Sequence, residues 1–254
     1  MKQQYPILEH DTTRKAILEP SEILAPVDIA ENCVLCFFQD VLSDLQEAGK
    51  IQQVFELGSE IGPNPVFEIV INGQRLAVMH AGIGAPLSAA FMEELIALGC
   101  RKFIACGGCG VLDDQVDLGQ VIIPVSAVRD EGTSYHYLPP AREVAASDEA
   151  VSAIQATLDS YHIPYLLGKT WTTDGIYRET ADKMALRLSE GCLTVEMETA
   201  AFCAVAQFRD VTFGQILYGG DDLTGEEWDR RDWQNQSSTR EKLFWLAAEA
   251  CLRL

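Results

Sequence analysis

Basic residues are scarce in this chain. Its 254 residues hold 19 lysines and arginines against 38 aspartates and glutamates, a formal net charge of −19 at pH 7. A field of that sign repels nucleic acid and anionic membrane surfaces, so neither is an expected partner, and it gathers free anions poorly. Histidine is scarcer still: the four residues are scattered, too few and too dispersed for a metal cluster. No apolar run reaches the length of a membrane span, and the opening MKQQYPILEHDTTRK has no apolar core of signal-peptide length. Repeats and low-complexity segments are missing too. With 48% hydrophobic residues the chain can bury a sizeable core. The expected organisation is an extended leader (1–24) before one domain (25–254).

Eight cysteines lie in apolar segments of a chain of ordinary domain length. That pattern implies reduced thiols and a cytoplasmic location. Two C-x-x-C pairs, Cys33/Cys36 and Cys106/Cys109, raise a zinc or redox site as one reading and small buried hydrophobes as the other. The spacing favours the second for Cys33/Cys36, because Cys33–Phe38 has the look of a buried strand, where residues three apart face opposite sides. Cys106 and Cys109 flank Gly107-Gly108 in an expected loop, and a lone pair without a neighbouring histidine is a weak metal signal.

Periodicity supplies the elements. Strands are expected at Cys33–Phe38, Ile51–Leu57, Val66–Ile71, Arg75–His80, Phe103–Cys106, Val121–Val125, Tyr165–Trp171, Leu193–Val195 and Val211–Tyr218. Asn72-Gly73 between two of them is a strong hairpin signal. Helices are expected at Gln39–Gly49, Pro86–Leu98, Asp148–Tyr161, Ala181–Ser189, Thr199–Val205 and Ser238–Leu252. Residues 126–147 form a long polar and aromatic excursion, Thr172–Thr180 a loop, and Asp221–Trp233 an acidic loop containing tryptophan. Strands alternating with helices predict an α/β fold: three layers, α/β/α, around a central mixed, largely parallel sheet.

In such sheets ligands lie beyond the carboxyl ends of the strands. Those ends carry Gly82-Ile83-Gly84, Gly107-Gly108, Thr172–Tyr177, Glu196–Glu198 and Gly219–Asp222. Glycine there lets backbone approach a ligand, although any tight turn uses it as well. Thr194–Ala201, T-V-E-M-E-T-A-A, is the most informative stretch. Acids in the first turn of a helix are favoured by its dipole alone. Glu196 and Glu198 are two apart, however, so only one follows the apolar helix face inward. A glutamate aimed at a cleft beside a methionine suits a polyol: the carboxylate accepts from neighbouring hydroxyls and the thioether covers the carbon face.

Four segments in order, Gly82–Pro86, Cys106–Leu112, Thr194–Ala201 and Tyr218–Asp222, resemble the nucleoside phosphorylase and nucleosidase superfamily, which includes purine nucleoside and uridine phosphorylases. The resemblance covers roughly residues 25–250 and implies a phosphorylase/hydrolase-like fold without metal or cofactor. It implies cleavage of the N-glycosidic bond of a purine or purine-like nucleoside, with phosphate as the usual acceptor. Glu198, Met197 and Glu196 would bind ribose, and Asp221 would protonate the departing base. Trp171, Thr173, Ile176, Tyr177 and Gly220 would line the base. Gly82, Gly107, Gly108 and Arg178 would border the acceptor, with a surface pairing to Glu179 as the other reading of Arg178. Asp222 would either raise the pKa of Asp221 by repulsion or point to solvent. His80 is structural on this reading, while His136 in the aromatic loop, or His10 toward a neighbouring subunit, would approach the site. A homodimer or a hexamer of dimers is implied as well.

The sequence departs from that family in five places. Gly220 stands where the family has a serine before the acid. Thr180 and Asp182 stand where uridine-specific relatives carry glutamine and arginine, which argues for a purine. Ala105 and Gly108 replace the phosphate-holding arginine and hydroxyl. An early phosphate-binding segment has no counterpart, and the partner-subunit arginine of some relatives falls near Gly49-Lys50. Backbone N–H groups of Gly107–Gly110 with Arg178, Lys169 or Lys50 are the candidates to compensate. Hydrolysis by water is therefore a second reading, and a nucleoside-binding protein without chemistry a third.

Overall fold

The computed structural model describes residues 2–225 and 227–254. A 3₁₀ turn at Pro6–Leu8 and the short helix α1 (Pro20–Ile23) precede β1 (Asn32–Cys36) and α2 (Gln39–Glu47). A meander follows, β2 (Gln52–Ser59), β3 (Gly62–Ile71) and β4 (Gln74–His80), and then α3 (Ala85–Leu98). The chain continues through β5 (Lys102–Val111), β6 (Val121–Asp130), β7 (Glu143–Ala145), α4 (Asp148–Ser160) and β8 (Tyr165–Thr173). It closes with α5 (Ala181–Ser189), β9 (Cys192–Glu196), α6 (Thr199–Arg209), β10 (Thr212–Asp222) and α7 (Ser237–Cys251).

Local chemistry sets the punctuation. Asn72 and Gly73 both have positive φ, 52° and 82°, which a two-residue hairpin requires, and they join β3 to β4 as expected. Helix α3 starts at Gly84 with Pro86 in its first turn and stops at Gly99, whose φ of 138° only glycine adopts freely.

One ten-stranded mixed sheet forms the centre. Strand β5 pairs with β10, β10 with β6, β6 with β8, β8 with β9, and β9 returns to β5, so half of the sheet closes on itself. The other half runs open from β5 through β1, β4 and β3 to β2. Helices α2, α4 and α7 bury one face, and α3 and α6 the other. Cys33 belongs to one of these cores and Cys36 to the other, so the two thiols do point apart. All eight cysteines are free and buried. The leader folds back on the end of α6, where Arg14 pairs with Asp210 and Glu19 with Arg209. Among the described residues, no helix is long and apolar enough to cross a membrane.

Three segments differ from expectation. Gly107-Gly108 is no loop, because β10 gives β5 a partner along its whole length, with Gly107 opposite Leu217 and Gly108 opposite Tyr218. Glycine is needed there for close packing: a Cβ would lie 3.0 Å from the Phe37 ring at position 107 and 3.2 Å from the Tyr218 ring at 108. The 126–147 excursion begins as strand, since β6 runs on to Asp130 beside β8 and β7 then pairs back on it. Pro124 sits at a register shift in the β6–β8 ladder, a place where a residue without N–H is tolerated. Thr172 and Thr173 likewise belong to β8.

Gly214 on β10 packs under α4. A Cβ there would sit 2.7 Å from Ala150 Cβ and 3.1 Å from Ile154 Cδ1. Gly214→Ala should cost about 1–3 kcal/mol of stability through overpacking, read as a lowered urea midpoint with an unchanged m-value. An unchanged midpoint would contradict this account of the packing.

Candidate active site

Strand β5 organises the site. On one edge it pairs with β10 throughout. On the other it pairs with β1 only as far as Cys106 opposite Cys36, and with β9 only from Gly110 opposite Val195. Between them lies a notch at Gly107–Cys109 where that edge has no strand partner among the described residues. In a parallel ladder alternate residues bond to the same side, so part of this backbone faces the notch. Phe37 packs beside Gly107, and Gly108 is exposed. The ends of β9 and β10 flank the notch, and the Gly82–Gly84 turn closes a third side.

At the β9–α6 junction the two glutamates do different work. Glu196 accepts from the N–H groups of Glu198 (2.8 Å) and Thr199 (2.7 Å) and from the Thr172 hydroxyl (2.6 Å). Thr172 Oγ1 in turn accepts from Ala200 N–H at 3.0 Å. These bonds satisfy donors that a helix start leaves open. Glu196 is therefore a cap, and its expected place among the ribose ligands is corrected: both of its oxygens serve the fold. Glu198 faces the cleft instead. Its Oε1 accepts from Gly84 N–H at 2.6 Å and its Oε2 from Met197 N–H at 3.3 Å. Only 6% of Glu198 is exposed. Burial, and then the charge of Glu196, push its carboxyl up to about 8, against the hydrogen bonds from Gly84 and Met197. Met197 is half-buried beside it.

Asp221 ends β10. Its Oδ2 accepts from Trp228 Nε1 at 2.7 Å, and a Cβ on Gly110 would lie 3.9 Å from its Oδ1. The indole N–H orients the Asp221 carboxyl. Trp228 reaches back because the loop is pinned by Asp222 and Asp229, which exchange backbone bonds at 2.8 and 3.0 Å. Asp222 does not point to solvent: it is partly buried and its carboxyl is engaged within the loop. It turns to Arg231 and the Thr224 N–H, which lower its pKa despite the opposing effect of burial. Cys109 lies between the two acid-bearing strand ends. Its thiol is raised by burial first, and then by the charges of Glu196 and Asp221.

The Thr172–Thr180 segment supplies a further wall. Asp174 accepts from Gly132 N–H at 2.8 Å, tying the 131–138 turn to the site, and its charge reaches Glu198. Ile176 and Tyr177 are 53% and 93% exposed at the cleft mouth. Arg178 beside them is exposed as well. Trp171, expected as a base wall, is fully buried. Its Nε1 donates to Asp130 at 3.0 Å and the Arg187 and Lys183 cations lie over its ring, so no face is open to a ligand. Thr173 is also buried, with its hydroxyl accepting from Gly175 N–H. Two proposed phosphate cations are engaged elsewhere: Lys169 with Glu143, and Lys50 over the Trp245 ring. His80 accepts from Gly82 N–H through Nδ1, a structural role, while His136 is exposed. A cavity of about 470 Å³ opens beside Gly82 and Ile83, and its walls include Leu42, Phe67, Met79 and Leu87.

Sequence reasoning placed the Gly82-Ile83-Gly84 segment at the site without Gly84 as the partner of Glu198, and it missed Trp228 beside Asp221. The available signals were a second glycine before a helix and a tryptophan in an acidic loop, neither of which names a partner.

Residues 33–253 match the sequence model of the phosphorylase superfamily. A guanosine phosphorylase from Halorubrum lacusprofundi is 27% identical over 180 residues, spanning 67% of this chain and 73% of that protein. A uridine phosphorylase from Treponema pallidum is 28% identical over 189 residues, spanning 68% of this chain and 73% of that one. Among solved structures, purine nucleoside phosphorylase from Toxoplasma gondii in complex with immucillin-H superposes with a TM-score of 0.78 at 20% identity, covering 100% of this chain and 98% of that one.

The raised Glu198 carboxyl has a measurable consequence for stability. Its folded-state pKa of about 8 lies above the ordinary 4.5, so the native state holds a proton that the unfolded chain releases. That contribution is present below about pH 4.5 and is lost as pH rises toward 8. The Tm of the wild type should therefore fall more steeply between pH 5 and pH 8 than that of Glu198→Gln. Parallel slopes would contradict the burial of this charge.

Proposed function

The chain belongs to the phosphorylase superfamily, and on that footing we propose that it cleaves the N-glycosidic bond of a purine or purine-like nucleoside. The observation that carries the proposal is the buried Glu198 carboxyl held by Gly84 N–H, with Asp221 at the end of β10, the strand on the other side of β5 from β9. When ionised, Glu198 accepts from two vicinal hydroxyls, and Met197 covers the carbon face of the ribose. Asp221 stands at the base end, between the exposed side chains of the Ile176–Arg178 turn and the 228–233 loop. As the C–N bond breaks, positive charge builds on the sugar and negative charge on the base. A proton delivered through Asp221 to a ring nitrogen relieves the latter. Thr180 and Asp182, in place of the glutamine and arginine of uridine-specific relatives, support a purine. Eight free buried thiols support a reducing, cytoplasmic setting, and the family resemblance supports a homodimer or a hexamer.

Phosphate is the acceptor that the superfamily name implies. One observation favours water as a second reading. Gly108 in the notch has no side chain, Ala105 before it is buried and paired with Leu35 of β1, and the carboxyls of this region are Glu198, Asp174, Glu179 and Asp221. A phosphate dianion needs fixed donors and counter-charge, and the exposed Arg178 is the cation on the adjoining turn. A water molecule needs neither.

Base release from a panel of purine and pyrimidine nucleosides, with and without phosphate, tests both readings. Ribose 1-phosphate formed only with phosphate would establish phosphorolysis, and free ribose at equal rates without it would establish hydrolysis. Asp221→Asn should lower kcat roughly 10²–10⁴-fold, the usual contribution of a positioned acid. Binding without release from any nucleoside, unchanged in Asp221→Asn, would leave a binding protein and overturn the enzymatic reading.

A further inference from the structure

The base end of the proposed site is without the tryptophan wall expected of Trp171, which is buried and bonded to Asp130. The segment between β10 and α7 carries two more tryptophans, and their surroundings are opposite. Trp233 is bound into the fold. Its carbonyl accepts from Arg240 Nη2 and from the Tyr218 hydroxyl, both at 3.2 Å, and the Arg240 cation lies 5.5 Å from its ring centroid. A Cβ on Gly220 would lie 3.6 Å from its Cβ, so Trp233 backs the strand end. Trp228 is 57% exposed, although its Nε1 is fixed 2.7 Å from Asp221 Oδ2.

A lone exposed ring is ordinary on a protein surface. Two contacts distinguish this one. The backbone after it is pinned, because Asp229 exchanges bonds with Asp222, and Arg231 holds both the Asp222 carboxyl and the Val116 carbonyl, the latter at 3.1 Å. Its polar edge is spent on Asp221, which leaves apolar ring surface, with the Arg230 cation 5.7 Å from the centroid. A base hydrogen-bonded to Asp221 Oδ1 and an indole bonded to Oδ2 are separated by the width of one carboxyl group. A planar base in that place meets the ring offset or edge-on, the arrangements that aromatic pairs favour.

We propose that Trp228 is a wall of the base site and also the residue that aims Asp221, so that one side chain recognises a planar purine and positions the acid. The proposal rests on the N-glycosidic cleavage proposed above. The two roles belong to different parts of the side chain: the ring binds, and the N–H positions. Substitutions separate them. Trp228→Phe keeps a ring and loses the donor, whereas Trp228→Leu loses both.

The test combines steady-state kinetics of base release with binding of a free purine base, hypoxanthine, followed by calorimetry and by tryptophan fluorescence. Trp228→Phe should lower kcat about 10-fold through loss of the orienting bond, with KM and hypoxanthine affinity within about 2-fold of the wild type. Trp228→Leu should show that loss of kcat and, in addition, raise KM and weaken hypoxanthine binding roughly 10-fold, the usual scale of base–aromatic stacking. Hypoxanthine should quench the fluorescence of the wild type and leave that of Trp228→Phe nearly unchanged. A lowered Tm in both variants, with no difference between them in KM, would mark Trp228 as structural and overturn the proposal. Wild-type kcat, KM and base affinity in Trp228→Leu overturn it as well and leave the glycosidic reading standing. No base release from the wild type overturns the glycosidic reading. Hypoxanthine binding that weakens in Trp228→Leu then still supports the base wall, and unchanged or absent binding overturns that too.

Discussion

A carboxylate kept out of water at the start of a helix is the constraint on which the site depends. Glu198 stays in place because Glu196, two residues earlier, already satisfies the first N–H groups of α6, with Thr172 satisfying the next. The Glu198 side chain therefore makes no cap bond of its own and, still buried, meets Gly84 N–H instead. That contact joins the β4–α3 turn to the β9–α6 junction across the end of β5. Without the cap, Glu198 would be drawn back to the helix terminus and the cleft would lose its acceptor. The cost is two neighbouring carboxyls in a buried space, and it shows in the raised pKa of each.

The same logic of strand ends explains the notch. Strand β5 changes partners from β1 to β9 and leaves a short stretch of one edge unpaired, while β10 continues on the other side. A sheet that closes on itself over half its width brings the carboxyl ends of β5, β8, β9 and β10 around one point. Alternation of strand and helix predicts such ends. It does not predict closure, because the antiparallel returns of β9 to β5 and of β6 to β10 are short and leave no periodic signal.

The positions of several candidate residues were nonetheless legible. Glu198, Met197 and Asp221 lie at strand ends that periodicity locates and that the motifs distinguish. The failures have physical causes. Trp171 in a motif-rich segment suggested a base wall, but strand alternation turns it away from the cleft and toward Asp130 and Arg187. Gly107-Gly108 suggested a turn, whereas glycine there makes room for the rings of Phe37 and Tyr218. Trp228 could not be assigned to Asp221 because their pairing depends on a backbone bridge between Asp222 and Asp229. The acidic excess, by contrast, carried through directly: the cleft is edged by carboxyls, and two cations proposed to offset them are engaged elsewhere.

The central claim is that Glu198 holds the two ribose hydroxyls, and calorimetry tests it most directly. The ligands would be a purine C-nucleoside, whose carbon–carbon link does not cleave, and its 2′,3′-dideoxy counterpart. Loss of two charge-assisted hydrogen bonds should weaken binding of the dideoxy compound at least ~10-fold, and Glu198→Gln should narrow that gap. Equal affinities for the two ligands in the wild type would contradict the account, because the buried carboxylate would then have no sugar to hold.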